Sequence, residues 1–301
     1  MKALICYNPF SGKQTIEKKL DYIIKRLKSR YDVVDCYRSL LEKSITTYIK
    51  NFGHNYSLIL VAGGDGSLNE AVNGVMSLSN KPTIAYIPFG TVNDVGHMLK
   101  LNKNIRKVMD IILNNEPVKM DICKIYDRYF VYASAVGNFT NVSYKAPSRL
   151  KKHFGKMAYF MEAARELKAD ETIYLTLEND NLKITGKYYV MLALNSKRIA
   201  GFRLYRTKPP KLNDGLIDIT LLRKQKFKTS IFYLIFFFLF GDHLKRGVET
   251  ICVNHIKINS PTALSYNVDG EFAFSSSEVD IEVVHEAINI IVNNKIKKNY
   301  F

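Results

Sequence analysis

With 301 residues, 47% hydrophobic and 24% charged, the chain is long enough for two modest domains and apolar enough for a sizeable core, which marks a folded globular protein. Its 44 Lys+Arg against 28 Asp+Glu give a net charge of +16, which draws polyanions such as a nucleotide or an anionic membrane surface. No zinc-finger spacing or RNA-recognition signature accompanies that charge, so no nucleic-acid partner is expected. Cys6, Cys36, Cys123 and Cys252 are scattered, without metal-ligand or redox spacing, and read as free thiols of a reducing cytoplasm.

In chain order, MKALICYNPF runs directly into a strand pattern with no basic flank, long apolar run or cleavage site, so no secretory leader is expected. The first third repeats strand, glycine turn and helix three times. ALICYN breaks at PFSGK and leads to IEKKLDYIIKRLKSR, where Ile16, Leu20, Ile23, Ile24 and Leu27 fall at helical spacing. LILVA breaks at GGDG and leads to SLNEAVNGVM, with Leu68, Ala71, Val72, Val75 and Met76 on one face. TIAYIP breaks at FG and leads to TVNDVGHMLK. This grammar predicts an α/β layer with a largely parallel sheet, whose ligand crevice lies beyond the carboxyl ends of the strands, where all three turns sit.

From about residue 118 the segments VKMDICKIYDRYFVYASAVG, TIYLTLEN, LKITGKYYVMLALN, LIDITLL, HIKINS, LSYNVDGEFAF and VDIEVVHEA read as strands. Two helical patches interrupt them, FGKMAYFMEAARELKA and IFYLIFFFLF. The second (231–240) is too short for a span of ~20 residues and reads as a buried helix, with a lipid-pressed surface as the other reading. AINIIVNN is the last strand and KIKKNYF a polar tail. The fold class is α/β plus all-β: an α/β nucleotide-binding domain over 1–120, a β-rich domain over 121–290, and a segment 291–301 expected to pack back on the first.

GGDG has neither the ending of a Walker A loop nor the spacing of a dinucleotide turn. Gly63, Gly64 and Gly66 still let the main chain approach a phosphate, and a helix opening near Ser67 would aim N–H groups at it. Ser67 with Glu70 also has the form of a capping box. Neither use accounts for Asp65. A carboxylate beside phosphates needs an offsetting cation, and Asp65 therefore suggests Mg²⁺, directly or through water. Asp94 follows a second glycine turn, with Thr91 and Asn93 as uncharged donors, and NVDGEF adds Asp269 and Glu271 around Gly270. DG alone signals a hairpin turn; four acids in strand-end glycine turns ask for more.

Taken together, NPFSGK, VAGGDGSLNEAVNG, IPFGTVNDVG, LNDGLIDI and NVDGE resemble the diacylglycerol kinase catalytic family, which includes sphingosine and ceramide kinases. The soluble bacterial branch is the nearest, and the likeness covers nearly the whole chain, including NVSYKAPSRLKKHFGKMAYF. The resemblance implies a first domain of the NAD kinase and phosphofructokinase kind and a C-terminal β-sandwich. It implies a nucleotide site lined by Asn8, Pro9, Phe10, Ser11 and Gly12. Phosphates would be held by Gly63, Gly64, Asp65, Gly66, Ser67, Leu68 and Asn69, with Thr91 and, more loosely matched, Ser39 in contact. It further implies Glu271 as proton acceptor, Asp65 and Asp94 nearby, and Asp269 as second candidate for the base. A structural Mg²⁺ would take the Asp214 carboxylate and the backbone oxygens of Lys211 and Leu216, with Asp65 joined through water. RLYRTKPPKLNDG departs from the pattern: it lacks the usual Pro-x-Ala and is one residue longer, and AGF replaces a commoner glycine pair.

The activity so implied is transfer of the γ-phosphoryl of ATP to diacylglycerol, by a cytoplasmic protein that meets the inner face of the membrane transiently. KKLDYIIKRLKSR, SRLKKHFGK and RKQKFK are basic enough to dock on an anionic surface, and each also reads as a solvated face. Sphingoid bases, prenols and other glycerolipids are the alternative acceptors. An NAD kinase shares GGDG but not the early NPxSG, the GTxND motif and the late DGE; an inert lipid-binding relative would lack acids that are all present here. Relatives often form homodimers, and pairing of β-edges offers a route.

Overall fold

In this computed structural model, residues 1–40, 44–101, 104–137, 172–199, 201–204, 211–224, 237, 240–241 and 247–301 are described. Four parallel strands form the N-terminal layer: β1 (Lys2–Tyr7), β2 (Val33–Arg38), β3 (Leu58–Gly63) and β4 (Thr83–Pro88), in the spatial order β4-β3-β1-β2. β1, β3 and β4 are almost wholly buried, as strands covered on both faces must be, whereas β2 is a half-exposed edge. Their apolar runs pair in register, Cys6 with Val61 and Val61 with Tyr86. The helices are α1 (Leu20–Leu27), α2 (Ser44–Phe52), α3 (Asp65–Met76), α4 (Asp94–Met98) and α5 (Ile105–Asn114). Ile23 and Leu27 of α1, and Leu68, Ala71, Val72 and Val75 of α3, face the core as the spacing predicts. β2, α2 and α5 extend the layer beyond the three units legible in the sequence.

The β-rich region comprises β5 (Val118–Ile125), β6 (Arg128–Phe130), β7 (Ala133–Gly137), β8 (Ile173–Asn179), β9 (Leu182–Leu194), the small hairpin β10 (Arg198–Ile199) and β11 (Phe202–Arg203), β12 (Ile217–Arg223), β13 (Val248–Val253), β14 (His255–Val268) and β15 (Glu271–Ile290). VDIEVVHEA and the first four residues of AINIIVNN thus belong to one 20-residue strand, β15, which ends at Ile290. It pairs antiparallel with β14 and β5, then sets Ile290 parallel to Ile84 of β4. Among the described residues, one sheet of thirteen strands therefore runs through both regions.

Two corrections concern chain ends and helix ends. KIKKNYF is not a polar tail: a 3-10 turn (Asn294–Ile296) and a short helix (Lys297–Tyr300) bury Ile296 and Tyr300. The Tyr300 carbonyl accepts the Leu212 N–H at 2.7 Å, and the Val292 carbonyl accepts Asn115 Nδ2 at 2.7 Å. Helix α3 begins at Asp65, two residues before the predicted start. Ser67 therefore lies inside its first turn, and Glu70 instead accepts the Ile45 N–H of α2 at 3.0 Å, so no capping box forms. The helix expected at FGKMAYFMEAARELKA, the basic stretch SRLKKHFGK, most of RKQKFK and most of IFYLIFFFLF lie outside the described residues.

Candidate active site

The three glycine turns meet at the carboxyl ends of β1, β3 and β4. After β1, Asn8 Oδ1 accepts the Phe10 N–H at 2.9 Å, an Asx-turn that pre-forms Asn8–Gly12, while the Asn8 N–H bonds the Ala62 carbonyl of β3 at 3.2 Å. Gly12 has φ +55°, and a Cβ there would stand 2.0 Å from the Phe89 carbonyl oxygen. The Gly63 carbonyl accepts the Phe89 and Gly90 N–H groups at 2.8 and 3.2 Å, and a Cβ on Gly90 would lie 2.6 Å from the Gly64 Cα. The turns thus touch backbone to backbone. Phe10 and Thr91 are exposed at this edge. Ser39 is buried; its N–H holds the Tyr7 carbonyl at 2.9 Å and its hydroxyl meets Ser44 at 2.8 Å, which ties the end of β2 to the start of α2.

Within the GGDG segment the residues divide. Leu68 is a core residue whose N–H bonds the Gly64 carbonyl at 3.2 Å. Asn69 reaches across to the β-rich region: its Nδ2 donates to the Tyr129 carbonyl at 3.0 Å and to Asp269 Oδ2 at 2.7 Å. One turn on, Asn73 Oδ1 accepts the Tyr129 N–H at 3.0 Å. These two asparagines clasp α3 to β6.

The four acids have unlike surroundings. Asp65 accepts the N–H groups of Asp94 and Val95 at 2.8 and 3.2 Å, so it satisfies the first turn of α4. Burial pushes its carboxyl up to about 7; the negative charges of Asp94 and Asp269 add to the rise, and the two N–H groups oppose it. Asp94 has no exposed surface; its carboxylate accepts the Gly201 N–H at 2.9 Å and lies 3.5 Å from Arg198 Nε. Asp269 occupies the two-residue turn between β14 and β15, with φ +48° followed by +89° at Gly270, the paired positive angles of a tight hairpin. Its carboxylate is enclosed by N–H donors: Val131 at 2.8 Å, Tyr132 at 3.0 Å, Ala133 at 3.1 Å and Asn69 at 2.7 Å. Burial lifts it to about 6 against the pull of those donors.

Glu271 follows at the start of β15 and is exposed. Its Oε1 lies only 2.8 Å from where a Cβ on Gly66 would stand, so the carboxylate rests on the first turn of α3. The hairpin thus carries one acid inward and the other over the glycine-rich helix start.

Two tyrosines escaped sequence reasoning. The Tyr86 hydroxyl donates to the Gly63 carbonyl at 3.3 Å and faces Asp65. The Tyr132 hydroxyl lies 3.3 Å from the Cβ position of Gly270, and burial together with Asp269, Asp65, Asp94 and Glu271 raises its pKa. Buried tyrosines in strand runs carry no motif; only packing reveals their polar ends. Arg198 was also missed, since nothing in SKRIAGF marks its approach to Asp94.

The residues expected around Mg²⁺ sit at the entry to β12. Asp214 is exposed, its Oδ1 accepting the Leu216 N–H at 3.1 Å, and Gly215 (φ +74°) donates to Asp121 Oδ2 at 2.7 Å. A carboxylate and two carbonyls are hard oxygen donors of the kind Mg²⁺ takes, so the residues fit such an ion. Among the described residues, no three His, Cys, Asp or Glu side chains cluster as a metal site.

Known proteins resemble this chain over nearly its whole length. The family description Diacylglycerol kinase catalytic domain matches residues 2–125. A diacylglycerol kinase of Staphylococcus aureus (strain bovine RF122 / ET3-1) is 32% identical over 306 residues, which covers 99% of this chain and 96% of the relative. One from Staphylococcus haemolyticus (strain JCSC1435) is 34% identical over 273 residues, 90% of this chain and 82% of the relative. Two crystal structures from Bacillus anthracis str. Sterne share the fold. One has a TM-score of 0.84 at 24% identity and covers 98% of this chain and 96% of its own. The other, of a diacylglycerol kinase, has a TM-score of 0.77 at 21% identity and covers 98% of both. The combined α/β and β-rich architecture and full-length similarity lead to one conclusion: this chain belongs to the diacylglycerol kinase catalytic family.

Proposed function

We propose that this protein is an ATP-dependent lipid kinase that transfers the γ-phosphoryl group of ATP to the hydroxyl of diacylglycerol, giving phosphatidic acid and ADP at the inner face of the membrane. The observation that carries this reading is the position of Glu271, an exposed carboxylate resting on the first turn of the GGDG helix. The opening of α3 after Gly64 and the glycine turns beside it receive the phosphates, since a helix start and close main-chain approach favour anions. The lipid hydroxyl gives its proton to Glu271 as its oxygen bonds to the γ-phosphorus and the bond to ADP breaks. Asp269 is a poor base, because four N–H donors already occupy its carboxylate. It acts instead as the pin that sets the hairpin, and so Glu271, against α3 through Asn69.

Mg²⁺ would supply charge neutralisation at the phosphates, and a further ion would be held by the Asp214 carboxylate and the Lys211 and Leu216 carbonyls. Asp65 and Asp94 act through structure as well: one caps α4 and the other fastens the turn at Gly201. For the membrane, Lys18, Lys19, Lys25 and Lys28 are exposed around α1, each adding ~1 kcal/mol of attraction near an anionic surface. No helix among the described residues is long and apolar enough to cross a membrane.

The test is transfer of labelled phosphate from ATP·Mg²⁺ to diacylglycerol in anionic mixed micelles by wild type and Glu271→Gln. Phosphatidic acid from wild type alone supports both the activity and the base. Product from neither, with transfer to a sphingoid base, a prenol or NAD, moves the assignment to that acceptor. Equal product from both removes Glu271 as base.

A further inference from the structure

One buried side chain links two of the three glycine turns. Tyr86, near the end of β4, has no exposed surface, and its register partner on β3 is Val61. Its hydroxyl reaches the Gly63 carbonyl at 3.3 Å and Asn93 Oδ1 at 3.4 Å, one proton shared between two acceptors. Burial, then the negative charge of Asp65, push its pKa well up, so the group stays a hydroxyl at neutral pH.

The two acceptors are not equally supplied. The Gly63 carbonyl already takes the Phe89 and Gly90 N–H groups at 2.8 and 3.2 Å. Asn93 Oδ1 has the Tyr86 hydroxyl as its donor among the described residues. The Asn93 amide can face only one way, because its Nδ2 donates to the Gly90 carbonyl at 2.6 Å and an oxygen there would be repelled. Asn93 is itself buried and has φ +54°, the left-handed conformation that asparagine accepts more readily than most residues. Its amide is thus engaged within the turn rather than offered to a ligand. The backbone leaves little slack around this link, since a Cβ on Gly90 would lie 2.6 Å from both the Gly64 Cα and Asn93 Oδ1. The start of α3 is tied in this way to the turn that leads into α4.

We propose that Tyr86 is a positioning residue for nucleotide binding. Its hydroxyl holds the GGDG turn and the Gly90–Asn93 turn at the spacing that admits the phosphates of a nucleoside di- or triphosphate. Without the hydroxyl, Asn93 Oδ1 is left buried with no donor, and the turn that its amide braces is free to shift against Gly64. Phosphates held by close main-chain approach are sensitive to such a shift, while a fold carried by buried strands is not. The inference rests on the reading that these turns receive nucleotide phosphates; it does not depend on which alcohol is phosphorylated.

The test is calorimetric titration of ADP·Mg²⁺ into wild type, Tyr86→Phe, Asn93→Gly and the double variant, with thermal melts of each. Glycine accepts the left-handed φ, so Asn93→Gly removes the amide without straining the turn, and it carries the test by itself should Tyr86→Phe not fold. Each single variant should bind about tenfold more weakly than wild type, and the double variant no more weakly than either, because both changes remove the same link. In turnover, Tyr86→Phe should raise the KM for ATP about tenfold and leave kcat at saturating ATP and the KM for lipid as in wild type. Binding by Tyr86→Phe equal to wild type overturns the proposal, whether or not its melting temperature falls. Losses that multiply to about a hundredfold in the double variant also overturn it, since the hydroxyl and the amide would then act separately. ADP binding by wild type without any phosphorylated lipid would sink the lipid kinase reading and leave the positioning role standing; no ADP binding by wild type would sink both.

Discussion

The two regions contribute in opposite ways to the candidate site. The parallel layer brings backbone: three turns packed so closely that a Cβ at Gly12 or Gly90 would collide with main-chain atoms. The β-rich region brings side chains, projected from the end of one hairpin, with Asp269 turned inward and Glu271 over α3. Backbone donors suit a ligand common to many enzymes, a nucleotide phosphate. Projected carboxylates suit the proton that differs from one acceptor to the next. The asparagines of α3 join the two contributions at Tyr129 and Asp269.

The division can be broken most sharply at the hairpin. Glu271→Gln should lower kcat by about 10²–10⁴-fold while the melting temperature stays nearly unchanged. A stability loss with intact turnover would reverse the roles given to the two acids. Asp269→Ala should do the opposite and destabilise first, by more than about 3 kcal/mol in chemical denaturation, because buried N–H groups of Val131, Tyr132 and Ala133 lose their acceptor. Asp269→Asn, which keeps one carbonyl oxygen, should fall between.

On the backbone side, Gly12→Ala should cost about 1–3 kcal/mol and raise the KM for ATP, since it strains a φ of +55° and meets the Phe89 carbonyl. An unchanged KM would mean that this turn lies outside the nucleotide site. Glu70→Ala should cost about 1 kcal/mol with no effect on KM, as it removes the acceptor for the Ile45 N–H at the start of α2.

The finest test is a pH slope in metal-free buffer. Asp65 titrates near its ordinary value in the unfolded chain and near 7 in the folded one. Between about pH 4 and 7 the folded state therefore binds more protons at this group, so its contribution to stability is full below pH 4 and is lost as pH rises through 7. Melting temperatures of Asp65→Asn, compared with wild type, should show a shallower fall across that window. Parallel curves would remove the raised pKa.

Much of the site was legible because its parts are local. Asn8–Gly12, GGDG, GTVND and the DG hairpin each need particular residues within a few positions of one another, and glycine, asparagine and aspartate signal such turns by themselves. The β-rich strands were legible too, from their β-branched and aromatic residues. β2, α2, the seam at Ile290 and the buried C-terminal helix were not. Each depends on burial against partners far along the chain: Ile290 beside Ile84, Tyr300 beside Leu212.

By itself, then, the sequence determined the turns, the alternation of strand and helix, and the supply of acids. Tertiary structure alone decided what each acid does. Asp65 caps a helix 29 residues away, Asp269 collects N–H groups more than 130 residues away, and Glu271 lies against the glycine turn at Gly66. The physical reason is that a carboxylate's role depends on which donors and charges surround it, and those are assembled only when distant strands pair.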